Sequence, residues 1–263
     1  MDIISKEGIY SFLPVNLKNK FNVSVVEKTD STNLMLKNMA LNGAEEGTVV
    51  VAGEQTAGIG RMGRSFFSPG NTGIYMSILL EPEIKPEKSV FITTAAAVAV
   101  CKALEKNGVE NAGIKWVNDI YINGKKVCGI LTQGNINPQS KEFDFAILGI
   151  GINVYKPQNG FPDEIKNIAG AIFDKEKENL RNKLIADILA EFNTVYKDFD
   201  NTKKEEKNKK RSIVIGKKVD VINAFQTKAA TVLGISKDCK LHIKYEDGAQ
   251  SFLDSGEISV KLL

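Results

Sequence analysis

G-E-Q-T-A-G-I-G-R-M-G-R-S-F-F-S-P-G-N-T-G, Gly53 to Gly73, decides what kind of fold this chain can have. It holds six glycines and two arginines, and it lies between two β-type runs, Thr48 to Ala52 and Ile74 to Leu80. Within it, Gly58 to Gly63 spells G-x-G-x-x-G, the dinucleotide fingerprint. That fingerprint works only where a helix starts inside it and meets the pyrophosphate with its N-terminus. Here Ser65 to Asn71 follows, rich in turn residues, and then another strand. No Gly-Lys-Ser/Thr closes a P-loop either. Both parallel-sheet nucleotide folds are therefore rejected. Glycines let a backbone approach a ligand closely, and Arg61 and Arg64 carry forked donors for carboxylate or phosphate. The stretch reads as a loop closing over an anionic, phosphate-bearing species. Loops this long without structure of their own are uncommon and usually functional.

The second decisive stretch is Ile114 to Leu131, I-K-W-V-N-D-I-Y-I-N-G-K-K-V-C-G-I-L. Asn123-Gly124 between β-type runs predicts a two-residue hairpin. That register sets Ile122 opposite Lys125, Tyr121 opposite Lys126 and Asp119 opposite Cys128. Alternation puts Lys115, Asp119 and Tyr121 on one face, joined by Lys126, with Trp116 and Asn118 pointing away. A lysine and a carboxylate beside a glycine loop suit phosphate and Mg²⁺; a surface ion pair is the plainer alternative. Phe143 to Val154 supplies a third strand and completes an antiparallel meander. Gly149 and Gly151 within it mark close approach of a ligand or another backbone.

Around these stretches the chain reads in order. Phe21 to Val26 is a strand. Asp30, Ser31 and Thr32 are N-cap types for a helix ending near Asn42-Gly43; spacing alone assigns them capping. Ser89 opens an alanine- and valine-rich helix that ends at Asn107-Gly108 and is buried. Leu180 to Phe199 repeats at helical spacing. Asn201 to Arg211 is a charge run with two glutamates, a solvated linker rather than a nucleic-acid patch. Short strands at 219–222, 229–235, 240–245 and 258–262 then suggest a small β-barrel. The expected division is residues 1–211 and residues 212–263.

Composition narrows the chemistry. Lys plus Arg number 35 against 32 Asp plus Glu, a net charge of +3, too mild for a dedicated nucleic-acid binder. Three scattered cysteines, with no C-x-x-C, indicate neither a disulfide framework nor a zinc site and suit a reducing cytoplasm. Neither a signal peptide nor a membrane span is expected. The single histidine, His242, sits in a strand pattern as a solvated residue. Histidine triads and most zinc hydrolases are thereby excluded. Cys128 has no histidine to activate it and reads as packing, as does Cys101.

Taken in order, the motifs resemble the biotin–protein ligases almost from end to end. The matching blocks are D-S-T-N at Asp30 to Asn33, Q-T-A-G-I-G-R-M-G-R at Gln55 to Arg64, K-W-V-N-D at Lys115 to Asp119, K-V-C-G-I-L at Lys126 to Leu131, G-I-G-I-N at Gly149 to Asn153 and G-E-I-S at Gly256 to Ser259. The resemblance implies an α/β catalytic domain with a mixed, mainly antiparallel sheet, followed by an SH3-like barrel. About thirty residues precede D-S-T-N, too few for the winged helix that many relatives carry, so the short form without DNA binding is expected. It implies that Ser31, Thr32, Asn33 and Gln55 meet the biotin ring. It places Gly58, Ile59, Gly60, Arg61 and Lys126 at the biotin carboxylate, and Gly129, Leu131, Gly149 and Ile152 along the pocket. Arg61, Arg64, Phe66, Lys115, Trp116, Asn118 and Asn153 would lie near the adenylate, Asp119 toward Mg²⁺, and Lys126 and Arg61 would be catalytic. Biotin and ATP would be substrates and a lysine of an apo biotin carboxyl carrier protein the acceptor; a homodimer is compatible. The sequence departs from the usual pattern at Ile59, where arginine is usual, and at Val117, where proline is. Phe66 and Lys261 stand where tryptophan and arginine are often found. The alternatives are a lipoate or octanoate ligase of related fold, and a non-catalytic biotin-binding protein.

Overall fold

The computed structural model describes residues 2–197, 210–222, 226–254 and 259–262. Its larger sheet has seven strands in the order β1-β2-β3-β7-β6-β5-β4. These are β1 Asn22–Thr29, β2 Thr48–Gln55, β3 Gly73–Leu80, β4 Gly113–Lys115, β5 Asp119–Ile122, β6 Lys125–Ile136 and β7 Phe143–Asn153. β1 pairs with β2 in parallel, and every other pairing is antiparallel. The expected meander is present as β5-β6-β7.

Among the described residues four α-helices cover the sheet: α1 Lys6–Phe12, α2 Thr32–Leu41, α3 Val90–Lys106 and α4 Leu180–Lys197. Strand alternation explains their placement. On β3, Ile74, Met76, Ile78 and Leu80 join the main core with α3 and α4. Leu79, from the opposite face, packs with Leu36 of α2, Val50, Phe145 and Ile147. Twelve of the seventeen residues of α3 are buried, so an all-round apolar sequence does mark an internal helix. Ser89 precedes it without a side-chain capping bond, contrary to expectation.

Asn123 and Gly124 both have positive φ, 50° and 74°, as the primed hairpin turn requires. The register beyond the turn differs from expectation. Tyr121 faces Lys126, but Ile120 faces Cys128 and Asp119 faces Gly129, because a bulge shifts the pairing between Ile120 and Tyr121. The extra residue puts Val127 and Cys128 both in the core. Nothing in the hydrophobic pattern of K-K-V-C-G-I-L announces that insertion.

The second sheet has five antiparallel strands in the order β11-β10-β9-β8-β12, over β8 Lys218–Ile222, β9 Thr227–Ile235, β10 Leu241–Tyr245, β11 Gln250–Leu253 and β12 Ser259–Leu262. Four of these match expected strands. β11 was not anticipated; it is four residues long and opens on Gln and Ser. The sheet has its own core, including Val219, Val232, Leu241 and Ile243, into which Trp116 and Val117 insert from the β4–β5 turn. His242 stacks on Phe252 at 4.4 Å and meets Gln250 through Nε2, in keeping with a strand residue outside catalysis. Of the charge run and the G-E-I-S block, residues 201–209 and 256–258 lie outside the described residues. No helix among the described residues is long and apolar enough to cross a membrane.

Candidate active site

Cross-strand register builds the floor of one cavity. Tyr75, Gly151, Gly129 and Asp119 lie in a row across β3, β7, β6 and β5. The next row on the same face is Ser77, Gly149 and Leu131. Three of the four positions that β7 and β6 contribute to that floor are therefore glycine. The cavity above measures about 620 Å³, within the range of small-molecule sites.

One end is closed by the start of α2. Ser31 precedes the helix in an extended conformation but makes no side-chain cap. Gln55, from the end of β2, does that work: its Oε1 accepts from Thr32 N at 2.8 Å and from Thr32 Oγ1 at 3.1 Å. Gln55 Nε2 donates to Ser68 Oγ, which donates to Phe66 O. Asn33 Nδ2 donates to Gln133 Oε1 at 2.7 Å. Ser77 Oγ lies 2.7 Å from Thr32 Oγ1 and 2.6 Å from Asn33 Oδ1. A Cβ on Gly149 would stand 2.2 Å from Asn33 Oδ1, so the glycine makes room for that amide.

The other end is cationic. Lys126 Nζ pairs with Asp119 Oδ1 at 2.7 Å, with the side chains 28% and 19% exposed. Asn118 Nδ2 donates to Asp119 Oδ1, and Arg61 Nη1 donates to Asn118 Oδ1 at 2.8 Å. Burial lowers the Arg61 pKa from its usual value, the charge of Asp119 raises it and that of Arg64 lowers it further; a guanidinium nevertheless stays protonated. Lys115 Nζ sits 5.5 Å from the centre of the Tyr121 ring. The Lys126 backbone is fixed by a neighbouring turn, through Lys126 N to Ile168 O and Gly170 N to Lys126 O.

The glycine-rich stretch forms the roof and is not structureless. It folds back on itself through Gln55 N to Ser68 O, Phe66 N to Gly58 O and Gly60 N to Arg64 O, with a short 3-10 turn at Arg61–Gly63. Phe66 drops onto the floor: a Cβ on Gly151 would come within 2.6 Å of its ring and one on Gly129 within 3.1 Å. Ile59 and Met62 are exposed on the roof.

Most of the residues expected from sequence line this cavity: Ser31, Thr32, Asn33, Gln55, Ile59, Gly60, Arg61, Arg64, Phe66, Lys115, Trp116, Asn118, Asp119, Lys126, Gly129, Leu131, Gly149 and Asn153. Gly58 and Ile152 do not. Gly58 packs inside the roof against Phe66 O and Ser68. Ile152 alternates onto the opposite face of β7, into the main core. Asn118 was expected to point away; the short β4–β5 turn breaks the alternation and aims it at Arg61. Gly149 and Gly151 admit side chains, Asn33 and Phe66, rather than another backbone. Sequence reading missed Ser77, Gln133, and the lining segment that includes Phe161, Ile165 and Ile168. Ser77 alone left a trace, as the one polar residue of G-I-Y-M-S-I-L-L.

The cavity's tyrosines and the core thiol of Cys128 are not poised for neutral-pH chemistry. Burial pushes Tyr75 up to about 12 and Tyr121 up to about 12. Burial likewise raises the Cys128 thiol well above its usual value, only partly offset by Lys126. Asp119 is the one carboxylate lining the cavity among the described residues, and these hold no cluster of three or more His, Cys, Asp or Glu suited to a metal.

Residues 25–153 match the model of the Biotin/lipoate A/B protein ligase family. The chain is 42% identical over 170 residues to the bifunctional ligase/repressor BirA of Bacillus subtilis, covering 64% of this chain and 52% of that protein. It is 29% identical over 174 residues to a biotin--[acetyl-CoA-carboxylase] ligase of Mycobacterium tuberculosis, covering 64% and 63%. The chain spans about half the length of the bifunctional ligase/repressors it matches. Among solved structures, the biotin protein ligase from Aquifex aeolicus in complex with biotin and ATP superposes with a TM-score of 0.75 at 27% identity, over 92% of this chain and 99% of that one.

Proposed function

We propose, from the match of residues 25–153 to the Biotin/lipoate A/B protein ligase family, that the chain belongs to that family, joins biotin to AMP at the expense of ATP and transfers the biotinyl group to a lysine of a carrier protein. The observation that carries this reading is the polarity of the cavity. A buried row of hydroxyls and amides closes one end, and Arg61 with Lys126 lies at the other. Such a site suits a ligand with a hydrogen-bonding head, a thin apolar body and a carboxylate. An octanoyl or lipoyl tail offers nothing to Thr32, Asn33 and Gln55, so the polar end wall favours biotin.

In this reading the biotin carboxylate attacks the α-phosphorus of ATP, the bond to the bridging oxygen breaks and pyrophosphate leaves. Two anions must meet, and Arg61 and Lys126 offset the charge that accumulates on the phosphoryl oxygens. Asn118 holds the Arg61 guanidinium in place, and the folded-back roof excludes water from the mixed anhydride. The neutral amine of the acceptor lysine then attacks the biotinyl carbonyl and expels AMP. The donor set also fits Mg²⁺ carried in on the nucleotide, which prefers one or two carboxylates and phosphate oxygens. Asp119 would hold the ion, which supplies further charge neutralisation at the phosphates.

The five-stranded sheet is proposed as a C-terminal unit beginning near residue 212, since it shares no strand with the larger sheet among the described residues. The test of the whole reading is the intact mass of an apo biotin-carboxyl-carrier domain incubated with the protein, biotin and MgATP. A gain of one biotinyl group that needs every component is expected. No gain, together with no biotin-dependent ATP–pyrophosphate exchange, would overturn the reading.

A further inference from the structure

Ser77 is fully buried in the middle of β3, a strand otherwise lined by apolar residues and Tyr75. Alanine or valine would pack there without a polar atom to satisfy. Its hydroxyl instead reaches two residues of the end wall, Thr32 and Asn33. Asn33 is held from its other side by Gln133, which stands one row further along β6, opposite Ile147. That row borders the small apolar core under α2. The wall is thus one hydrogen-bonded chain, Gln55, Thr32, Ser77, Asn33, Gln133, whose middle is shut off from water.

We propose that Ser77 and Gln133 are positioning residues that fix the direction in which Thr32 and Asn33 present donors and acceptors to the head of the ligand, and so set its selection. Proton supply sets that direction. A hydroxyl carries a single proton, and Ser77 faces two acceptors at hydrogen-bonding distance. Its proton is shared between Asn33 Oδ1 and Thr32 Oγ1, while the Thr32 hydroxyl gives its own proton to Gln55 Oε1, the longest contact of the chain at 3.1 Å. Thr32 Oγ1 then offers its remaining lone pair to the cavity. Gln133 Oε1 fixes the Asn33 amide with nitrogen toward β6 and oxygen toward Ser77. A wall ordered this way favours a head bearing N–H donors, such as a cyclic urea, over a plain alkyl end. Removing either residue frees the amide and hydroxyl to reorient, and the selection weakens. The inference deepens the proposed function and rests on biotin's ring meeting this wall.

The test is biotin affinity by calorimetry, with steady-state KM values for biotin and for ATP, on wild type, Ser77→Ala, Ser77→Cys and Gln133→Leu. Ser77→Ala is expected to weaken biotin binding about tenfold, the size of one buried hydrogen bond. The KM for ATP should stay unchanged, and Ser77→Cys, with its weak donor, should fall between. A purely structural serine would lower the unfolding temperature without splitting the two KM values. Should Ser77→Ala fail to fold, Gln133→Leu at the exposed end of the chain carries the same expectation. Wild-type biotin affinity in both folded variants would overturn this inference and leave the proposed function standing. Wild-type protein that binds no biotin at all would sink both.

Discussion

Replacing Lys126 by alanine separates chemistry from stability in this site. The ammonium pairs with Asp119 across 2.7 Å, and both side chains keep contact with solvent. Surface pairs are worth roughly 0.2–1 kcal/mol, and this half-buried one lies at the upper end of that range. Asp119 also retains its bond from Asn118. The backbone at 126 is tied by Ile168 and Gly170, bonds the substitution does not touch. The unfolding temperature should therefore fall by at most about 4 °C for a chain of this size. The cost to catalysis is of another order. Removing one preorganised charge-stabilising donor costs about 2.7–4 kcal/mol of transition-state stabilisation, on the order of 10²–10³ in rate. The assay is biotin-dependent ATP–pyrophosphate exchange, run beside a thermal melt of the same preparation. Exchange down two to three orders of magnitude in a protein that melts near the wild-type temperature is expected. Exchange within threefold of wild type would refute the placing of Lys126 at the reacting phosphate.

Other expectations follow from the geometry. Gly149→Ala would put a methyl 2.2 Å from Asn33 Oδ1, at a backbone conformation alanine accepts, so Asn33 must leave its seat. The KM for biotin should rise at least about tenfold, as the loss of one or more buried hydrogen bonds requires, and an unchanged value would show that the amide has nothing to do with binding. Trp116 is the only tryptophan, is 4% exposed and donates from Nε1 to Cys239 O at 2.8 Å. Its emission should be that of a buried indole and should shift on adding biotin and MgATP, since it also lines the cavity; a spectrum indifferent to both would remove it from the site. Cys128→Ala should leave exchange intact, and neither Cys101 nor Cys128 should be alkylated in the folded protein near pH 8, because burial pushes Cys101 up to about 12 and Cys128 well above its usual value. The same burial makes the folded chain hold protons that the unfolded chain releases. The unfolding temperature should thus begin to fall near about pH 8, as unfolded thiols of pKa about 8.5 ionise, and fall further as unfolded tyrosines, near about 10, follow ahead of Tyr75 and Tyr121. A melt that is flat up to about pH 11 would contradict those shifts.

What the sequence made legible was local. Asn123-Gly124 announces its turn because both residues take positive φ, a requirement few other pairs meet. The glycine loop excludes a helix because Pro69 and Gly70 follow it. Alternation along β7 puts Gly149, Gly151 and Asn153 on one face, and the floor follows from that. What stayed hidden depended on partners distant in the chain. The bulge at Val127 changes which residue faces Asp119, and no pattern of apolar residues encodes an inserted position inside a buried strand. Asn118 turns inward because Arg61, 57 residues earlier, donates to its side-chain oxygen. Ser77 and Gln133 matter only because α2 lays Asn33 between them, a contact spanning 100 residues on one side and 44 on the other.

The strand order carries a consequence for the chain as it is made. β3 ends at Leu80, yet its partner β7 is not finished until Asn153, which is 73 residues later (153 − 80). At about 5–20 residues per second of synthesis, that interval is roughly 4–15 seconds. Through it, one edge of an eight-residue strand buried along its whole length in the finished protein stands open beside the ribosome. Asp2 waits longer still, since the guanidinium that receives it belongs to Arg181. The glycine floor is therefore among the last parts of the site to exist.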